Sequence, residues 1–253
     1  MRANEAAPAD GIDAVPTHSL LGRAQELWEE LAHAPGAFVP HTVRVIVSPD
    51  AGLCPPGWGG VVALGGSAVV TVPSERTAAA VRTALSDLPA AALTDPASVS
   101  AVLPVTGILG PATLAYASPE GFRPAVDASS AVERLPADHP ALRLLEEEAG
   151  RSDSAEASLG EITSSAFVVR ERGRVVAAAG HRTWPCRTAH ISVLTAPGSR
   201  GRGLARTAAS AVVAEALSAE LLPQWRARSP ASRRVAAALG FEELGTQLSF
   251  ALS

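Results

Sequence analysis

Lysine is absent from the 253 residues, and methionine and tyrosine occur once each, as Met1 and Tyr116. Alanine is abundant and Arg is the only permanent side-chain cation, so positions that need merely a small side chain or a positive charge carry Ala or Arg. That is background composition rather than a sign of function. The two cysteines, Cys54 and Cys186, lie far apart in Pro-rich contexts with no C-x-x-C pair and no His at ligand spacing, which excludes a disulfide or metal framework. Nothing near Cys186 would activate it as an acyl-carrying nucleophile. His18, His33, His41 and His139 show no spacing such as H-E-x-x-H, so no metal is expected. The N-terminus is polar and acidic, without the basic start and apolar run of a secretory signal. Pro96 to Pro119 carries no charge but is interrupted by Pro104, Pro111 and several Ser, Thr and Gly, so it does not read as a membrane span. A cytoplasmic, reduced protein without a membrane partner is the expectation.

What is present is enough apolar residue, 47% of the chain, to bury one large core or two modest ones. The formal charge of -4 hides an asymmetry: residues 1–150 carry eight Arg against seventeen Asp and Glu, and residues 151–253 carry thirteen against eight. Seven of the Arg fall between Arg200 and Arg234, which suits an anionic ligand such as a nucleotide cofactor. A solvated helix face accounts for any single one equally well. A nucleic-acid partner is not expected, because neither interleaved aromatics nor a known binding module is visible.

Residues 1–17 have no period and read as a flexible lead. His18 to His33 has the three- and four-residue apolar spacing of an amphipathic helix ending before Pro35. Val43 to Val47 and Gly60 to Val72 read as strands broken by Gly, and Glu75 to Leu88 as a helix. Further on, a strand near Val132 to Leu135, a helix from Ala137 to Ala149 and a polar stretch from Arg151 to Ser158 precede a hairpin of Ser165 to Arg170 and Val175 to Gly180 turning at Gly173. A strand at His190 to Thr195, a helix from Gly203 to Ala219, a strand at Leu221 to Ala227, a helix at Pro230 to Leu239 and a strand at Leu248 to Leu252 complete the chain. This order predicts an α/β fold with a mixed sheet and helices on both sides. It divides into an N-terminal α/β domain over 18–128, of unassigned role, and a second domain over 129–253.

The most informative run is "AHISVLTAPGSRGRGLARTAASAVVAEAL": an apolar strand, a turn begun by Pro197, then Gly201 and Gly203 opening a helix. Glycines at a strand-to-helix turn let the backbone approach a ligand, and the first free amides of the helix point at it. Arg200 and Arg202 add charge where the macrodipole already favours an anion such as a pyrophosphate. The earlier turn "VPSERT" echoes this arrangement but has no glycine, so it offers no such approach.

Arg200 to Ala205 matches R-x-x-G-x-A and, with its preceding strand, resembles the phosphate-cradling signature of the GNAT superfamily of N-acyltransferases. "LLPQWRARSPASRRVAAALGF" is similar to that family's next strand, helix and terminal Gly-Phe pair, here Gly240 and Phe241. The resemblance covers roughly residues 131–253. It implies a GNAT-like acyltransferase fold there, degenerate in the first half if present at all. It also implies acetyl-CoA as co-substrate, and transfer of an acetyl or short acyl group to the amine of a small molecule or peptide. Val193, Leu194 and Thr195 would pair with the pantetheine arm, and the backbone from Gly201 through Arg202, Gly203, Leu204 and Ala205 to Arg206 would take the pyrophosphate. Ser229 and Ser232 would contact pantetheine or thiol, Ser229 standing where the family usually has Asn. The two strands would splay to admit the thioester, and Pro223, unable to donate to a ladder, is compatible with that opening.

Many relatives place a Glu at the start of the strand before the loop and a Tyr four residues ahead of the Gly-Phe pair. This chain has Ala189 and Ala236 there. His190, beside the lost Glu, is the preferred base, its ordinary pKa near 6.5 suiting an amine near neutrality; a strand-edge structural role accounts for it equally well. His181 and Glu161 are weaker candidates. Ser232 could donate to the leaving thiolate, and Tyr116 could serve only if the halves bring it across. Trp184 and Trp225 read as core before acceptor wall. The alternative is an acyl-CoA-binding, non-catalytic module of the same fold. A homodimer is compatible with the sequence, and the acceptor's identity is not encoded in any readable motif.

Overall fold

The computed structural model describes residues 19–125 and 132–253; the expected lead over 1–17, His18 and the division at 128/129 lie outside them. The chain begins with α1 (Leu20–Leu31), whose N-terminus is capped by Ser19 Oγ accepting from Gly22 N at 3.1 Å and whose Ala24, Leu27 and Trp28 are buried. Strands β1 (Val43–Val47), β2 (Gly59–Leu64) and β3 (Ser67–Val72) follow, the last two forming a hairpin over Gly65 and Gly66. Helix α2 (Glu75–Leu85) starts at Ser74, whose Oγ accepts from Thr77 N.

The uncharged stretch that the sequence left without elements forms α3 (Pro96–Val102), capped by Asp95, and the long β4 (Val105–Tyr116). β4 lies inside the sheet, paired along most of its length with the last strand of the chain and, over Thr113–Tyr116, with another strand of the C-terminal half. Pro111 is tolerated there because it falls in an irregularity of the β4 register, where no ladder hydrogen bond is lost.

The C-terminal half contains β5 (Glu133–Leu135), α4 (Pro140–Ala149), α5 (Arg151–Ala157), β6 (Ala166–Glu171), β7 (Arg174–Trp184), β8 (Thr188–Thr195), α6 (Leu204–Ser218), β9 (Leu222–Ala227), α7 (Pro230–Ala238) and β10 (Glu242–Leu252). The expected elements are all found, with β10 starting six residues earlier than its apolar end suggests. All ten strands make one mixed sheet in the order β1-β3-β2-β10-β4-β9-β8-β7-β6-β5. The sheet is therefore continuous across the two halves: β10 pairs with β2 and β4, and β4 pairs with β9.

Helices cover both faces. On one, α6 and α7 pack on a layer rich in alanine, with Ala177, Ala179, Ala189, Ala208, Ala209 and Ala216 wholly buried. Small side chains on strand and helix alike let α6 sit close to the sheet. On the other, α1 lays Trp28 over Leu114, Tyr116 and Leu222, while α4 and α5 cover β6 to β8. Among the described residues no helix is long and apolar enough to cross a membrane.

Candidate active site

The sheet has two parallel pairs, and one of them splits. β8 and β9 are hydrogen-bonded only over Thr188↔Leu222, Ala189↔Pro223 and His190↔Gln224. β8 continues to Thr195 paired with β7 alone, so its other edge has no strand partner beyond His190. Pro223 lies within the paired section, not at the opening as expected; the strands separate immediately after Gln224.

At the end of β8, a turn through Pro197–Ser199 leads into α6. Gly201 and Gly203 both have positive φ, +75° and +79°, and a side chain at either would point into open space. Gly203 caps α6 and has no side chain to offer, and the first bond closing the helix is Thr207 N donating to Gly203 O at 3.0 Å. The N–H groups from Gly201 to Arg206 thus find no acceptor among the described residues, the condition that makes a helix start receptive to an anion.

Two adjoining cavities of about 220 and 430 Å³ run from the split along this turn to α7. Of the cofactor-binding residues expected from the sequence, all but Arg202 line one or both. Arg202 instead makes a two-point ion pair with Glu171 (2.8 and 2.6 Å), which raises the Arg202 pKa and lowers that of Glu171. Arg200 donates to Asp153 from the opposite helix and to Thr195 O at 3.3 Å. Of the seven Arg between Arg200 and Arg234, Arg200, Arg202, Arg228 and Arg233 are paired with Asp153, Glu171, Glu156 and Glu243. Arg206, Arg226 and Arg234 have no carboxylate partner among the described residues, and each lines a cavity. The buried Nε of Arg206 is itself without an acceptor. Sequence reasoning singled out neither Arg234 nor Arg226.

Ser229 caps α7, its Oγ accepting from Ser232 N at 3.2 Å, so its side chain is occupied in holding the helix start. Ser232 Oγ accepts from Trp225 Nε1 at 2.9 Å, which leaves its own proton free to be donated. Trp225 is buried in the α6 layer, edge-on to Phe241, and still forms a wall of both cavities. Gly240 explains half of the terminal Gly-Phe pair: its φ is +84°, and a Cβ there would lie 1.9 Å from the Gly121 carbonyl oxygen of the first half.

Strand alternation separates the candidates for base. Ala189 is wholly buried against α6, whereas His190 is half-buried on the opposite face, at the cavity under α5. The Gln224 Oε1 atom accepts from His190 Nδ1, so Nε2 carries the lone pair, and Trp184 stacks on the ring at 4.2 Å. Burial, then the neighbouring Arg226, lowers the His190 pKa to about 4, with Arg182 adding and the Gln224 hydrogen bond opposing. The expectation of an ordinary imidazole is corrected accordingly: His190 stays neutral well below neutrality. His181 is buried on the α6 side with Nδ1 unpartnered among the described residues, and Glu161 is ion-paired with Arg182 at 2.6 Å.

Tyr116 is brought across from the first half, to the position beside Gln224 on β9. It is wholly buried, accepts from Trp28 Nε1 at 2.6 Å, and has its pKa raised by that burial, so it stands behind the His190–Gln224 pair rather than in the cavity. Ala236, where a tyrosine was the family expectation, is buried in the core. Cys54 and Cys186 are free, with pKa values raised chiefly by burial.

A split parallel pair, an uncapped glycine-bearing helix start at its end and a histidine at its apex characterise this mixed α/β fold. Residues 163–246, within the C-terminal half of the chain, match the family model described as GNAT acetyltransferase. The chain is similar to an acetyltransferase assigned to the GNAT family from Novosphingobium aromaticivorans (24% identity, 59% of this chain and 67% of that one, TM-score 0.46). It is also similar to a GCN5-related N-acetyltransferase from Kribbella flavida (18% identity, 57% and 58%, TM-score 0.44). A GCN5-related N-acetyltransferase-like protein from Streptococcus suis matches over most of both chains (16% identity, 91% and 98%, TM-score 0.46). The chain thus spans only 58% of the length of the Kribbella protein. No curated protein matches it.

Proposed function

We propose that this protein transfers an acetyl or short acyl group from acetyl-CoA to the amine of an acceptor, by direct attack with both substrates bound. The observation that carries the reading is the separation of β8 from β9 after His190, which sets a run of unclaimed backbone N–H groups and a histidine lone pair along two adjoining cavities.

The fit of coenzyme A rests on that polar inventory. The orphaned amides from Gly201 to Arg206, with the unpaired Arg206 and Arg234, suit a diphosphate, and the free edge of β8 at Val193 to Thr195 suits the amides of a pantetheine arm. Bound there, the thioester supplies an activated acyl carbon and a good leaving group. His190 Nε2 takes the proton that the amine sheds as its nitrogen bonds to that carbon. Its depressed pKa makes it a weak base in the ground state and keeps it unprotonated at the start of every turnover. Backbone N–H groups around Leu194 stabilise the developing oxyanion, and Ser232 O–H is free to meet the thiolate.

The test follows free thiol while pure protein is mixed with acetyl-CoA and a panel of amines. His190→Ala should lower turnover on the order of a hundredfold with cofactor affinity nearly intact. The second reading, a module that binds acyl-CoA without catalysis, is favoured by one observation: Ala189 and Ala236 are both core residues, with no acid or base in their place. Cofactor heat without thiol release from any amine would select it.

A further inference from the structure

A third cavity, of about 290 Å³, opens on the same face of the sheet as His190 and is made jointly by the two halves. The loop Gly52–Pro55 walls one side, Gly110 and Ala112 of β4 and Gln247 and Ser249 of β10 form the floor, and Arg226 of β9 and Arg228 just after it enter from the side. The two cations differ. Arg228 is ion-paired with Glu156 of α5, whereas Arg226 has no carboxylate partner among the described residues. Arg226 is steadied only by Gln247: the Gln247 Oε1 atom accepts from Arg226 Nη1 at 3.4 Å, and Gln247 Nε2 donates to the Leu53 carbonyl of the loop. The amide is thereby oriented from both ends, and the rest of the guanidinium fork is left to the cavity. Although the Arg226 side chain is open to solvent there, the surrounding protein still disfavours its charge, which Glu161 offsets only in part.

Arg226 also lines the cavity that contains His190. It stands two residues from Gln224, the holder of His190, on the same face of β9, and such positions are about 7 Å apart. An acceptor held through a carboxylate at Arg226 can therefore present its amine in the cavity that His190 lines. Resting on the acyl-transfer reading above, we propose that the acceptor is an amine that also carries a carboxylate, bound by Arg226 in the cavity between the Gly52–Pro55 loop and β4, β9 and β10. The planar fork matches a carboxylate edge to edge, and a single uncompensated cation matches one negative charge better than a phosphate dianion. The first half of the chain then has a role: it supplies the wall and, through the Leu53 carbonyl that holds the Gln247 amide, helps position the guanidinium.

Binding is read without turnover. Protein saturated with coenzyme A is titrated calorimetrically with N-acetylalanine, N-acetylserine and N-acetylphenylalanine, each beside its carboxamide, and with N-acetylated aminoethyl phosphate. The carboxylate of at least one pair should bind about tenfold more tightly than its amide, as expected for a charge-assisted contact. Arg226→Gln should bring that ratio within about threefold, and Arg226→Lys, which keeps the charge and loses the fork, should fall between. The same ratios are read as kcat/KM with alanine, serine and phenylalanine and their amides. Equal binding of acid and amide, no binding of either, a ratio that survives Arg226→Gln, or tighter binding of the phosphate each overturns the carboxylate assignment. Absence of heat with coenzyme A or its acetyl form instead sinks the acyl-transfer reading; the acid and amide titrations on cofactor-free protein then decide the Arg226 site by itself.

Discussion

Two of the molecule's strand–turn–helix units, β3–α2 and β8–α6, differ in how the helix begins. In β3–α2 the turn is short and Ser74 Oγ accepts from the Thr77 amide, supplying the acceptor that every helix start lacks. In β8–α6 the turn is long, two glycines take left-handed conformations, and no side chain caps the helix. The strands differ as well: β3 is paired on both edges, by β1 and β2, while β8 has one edge open beyond His190. A helix start is a site only where the fold leaves its amides unsatisfied and accessible. Solvent or a ligand must then complete them, which is how an anion gains affinity there.

The comparison can be broken most decisively at Gly203. Replacing it with Glu adds a like charge where a diphosphate is proposed and forces a side chain into the left-handed region, so coenzyme A affinity should drop on the order of a hundredfold or more by calorimetry. Retained affinity would move the cradle elsewhere. The next effect concerns protonation. Because folding lowers the His190 pKa from its ordinary value to about 4, the unfolded chain binds more protons between those values. The stability His190 contributes is thus fully present above about pH 6.5 and is lost as pH falls towards 4. The His190 ring resonances should titrate near pH 4 by NMR, and a midpoint near 6.5 would contradict the depressed pKa.

Smaller effects separate support from site. Tyr116→Phe strands the buried Trp28 N–H and should cost about 1–3 kcal/mol in denaturant unfolding, while cofactor affinity changes little. A loss of binding without loss of stability would give Tyr116 a direct role. Ser74→Ala should cost about 1 kcal/mol through the lost cap and leave coenzyme A binding untouched, the counterpart of the Gly203 substitution in the other unit.

Much of the C-terminal half was legible because its signals are local. The period of the strands and helices, the Gly201 and Gly203 turn and the Gly240 break each act within a few residues. What could not be read depended on partners distant in sequence. β4 was opaque because a strand paired on both edges inside the sheet shows neither clean alternation nor charge to mark it, only an uncharged run broken by Pro104 and Pro111. The basic cluster looked uniform until ion pairs to Asp153, Glu156, Glu171 and Glu243 separated four occupied arginines from the three with no carboxylate partner among the described residues. Arg226 and Gln224 read in sequence as any alternating pair on a strand; their partners, Gln247 and His190, come from other strands.

By itself the sequence determined the mixed α/β class, the glycine-bearing turn before α6 and the likeness of the C-terminal half to the GNAT family, since conformational preference and hydrophobic period are properties of short segments. Tertiary structure alone decided that β4 and β10 join the halves into one sheet, that Ala189 meets α6 while His190 meets the cavity under α5, and that the histidine is held neutral. Those outcomes follow from register and desolvation, which exist only once distant strands are paired and water has been removed between them.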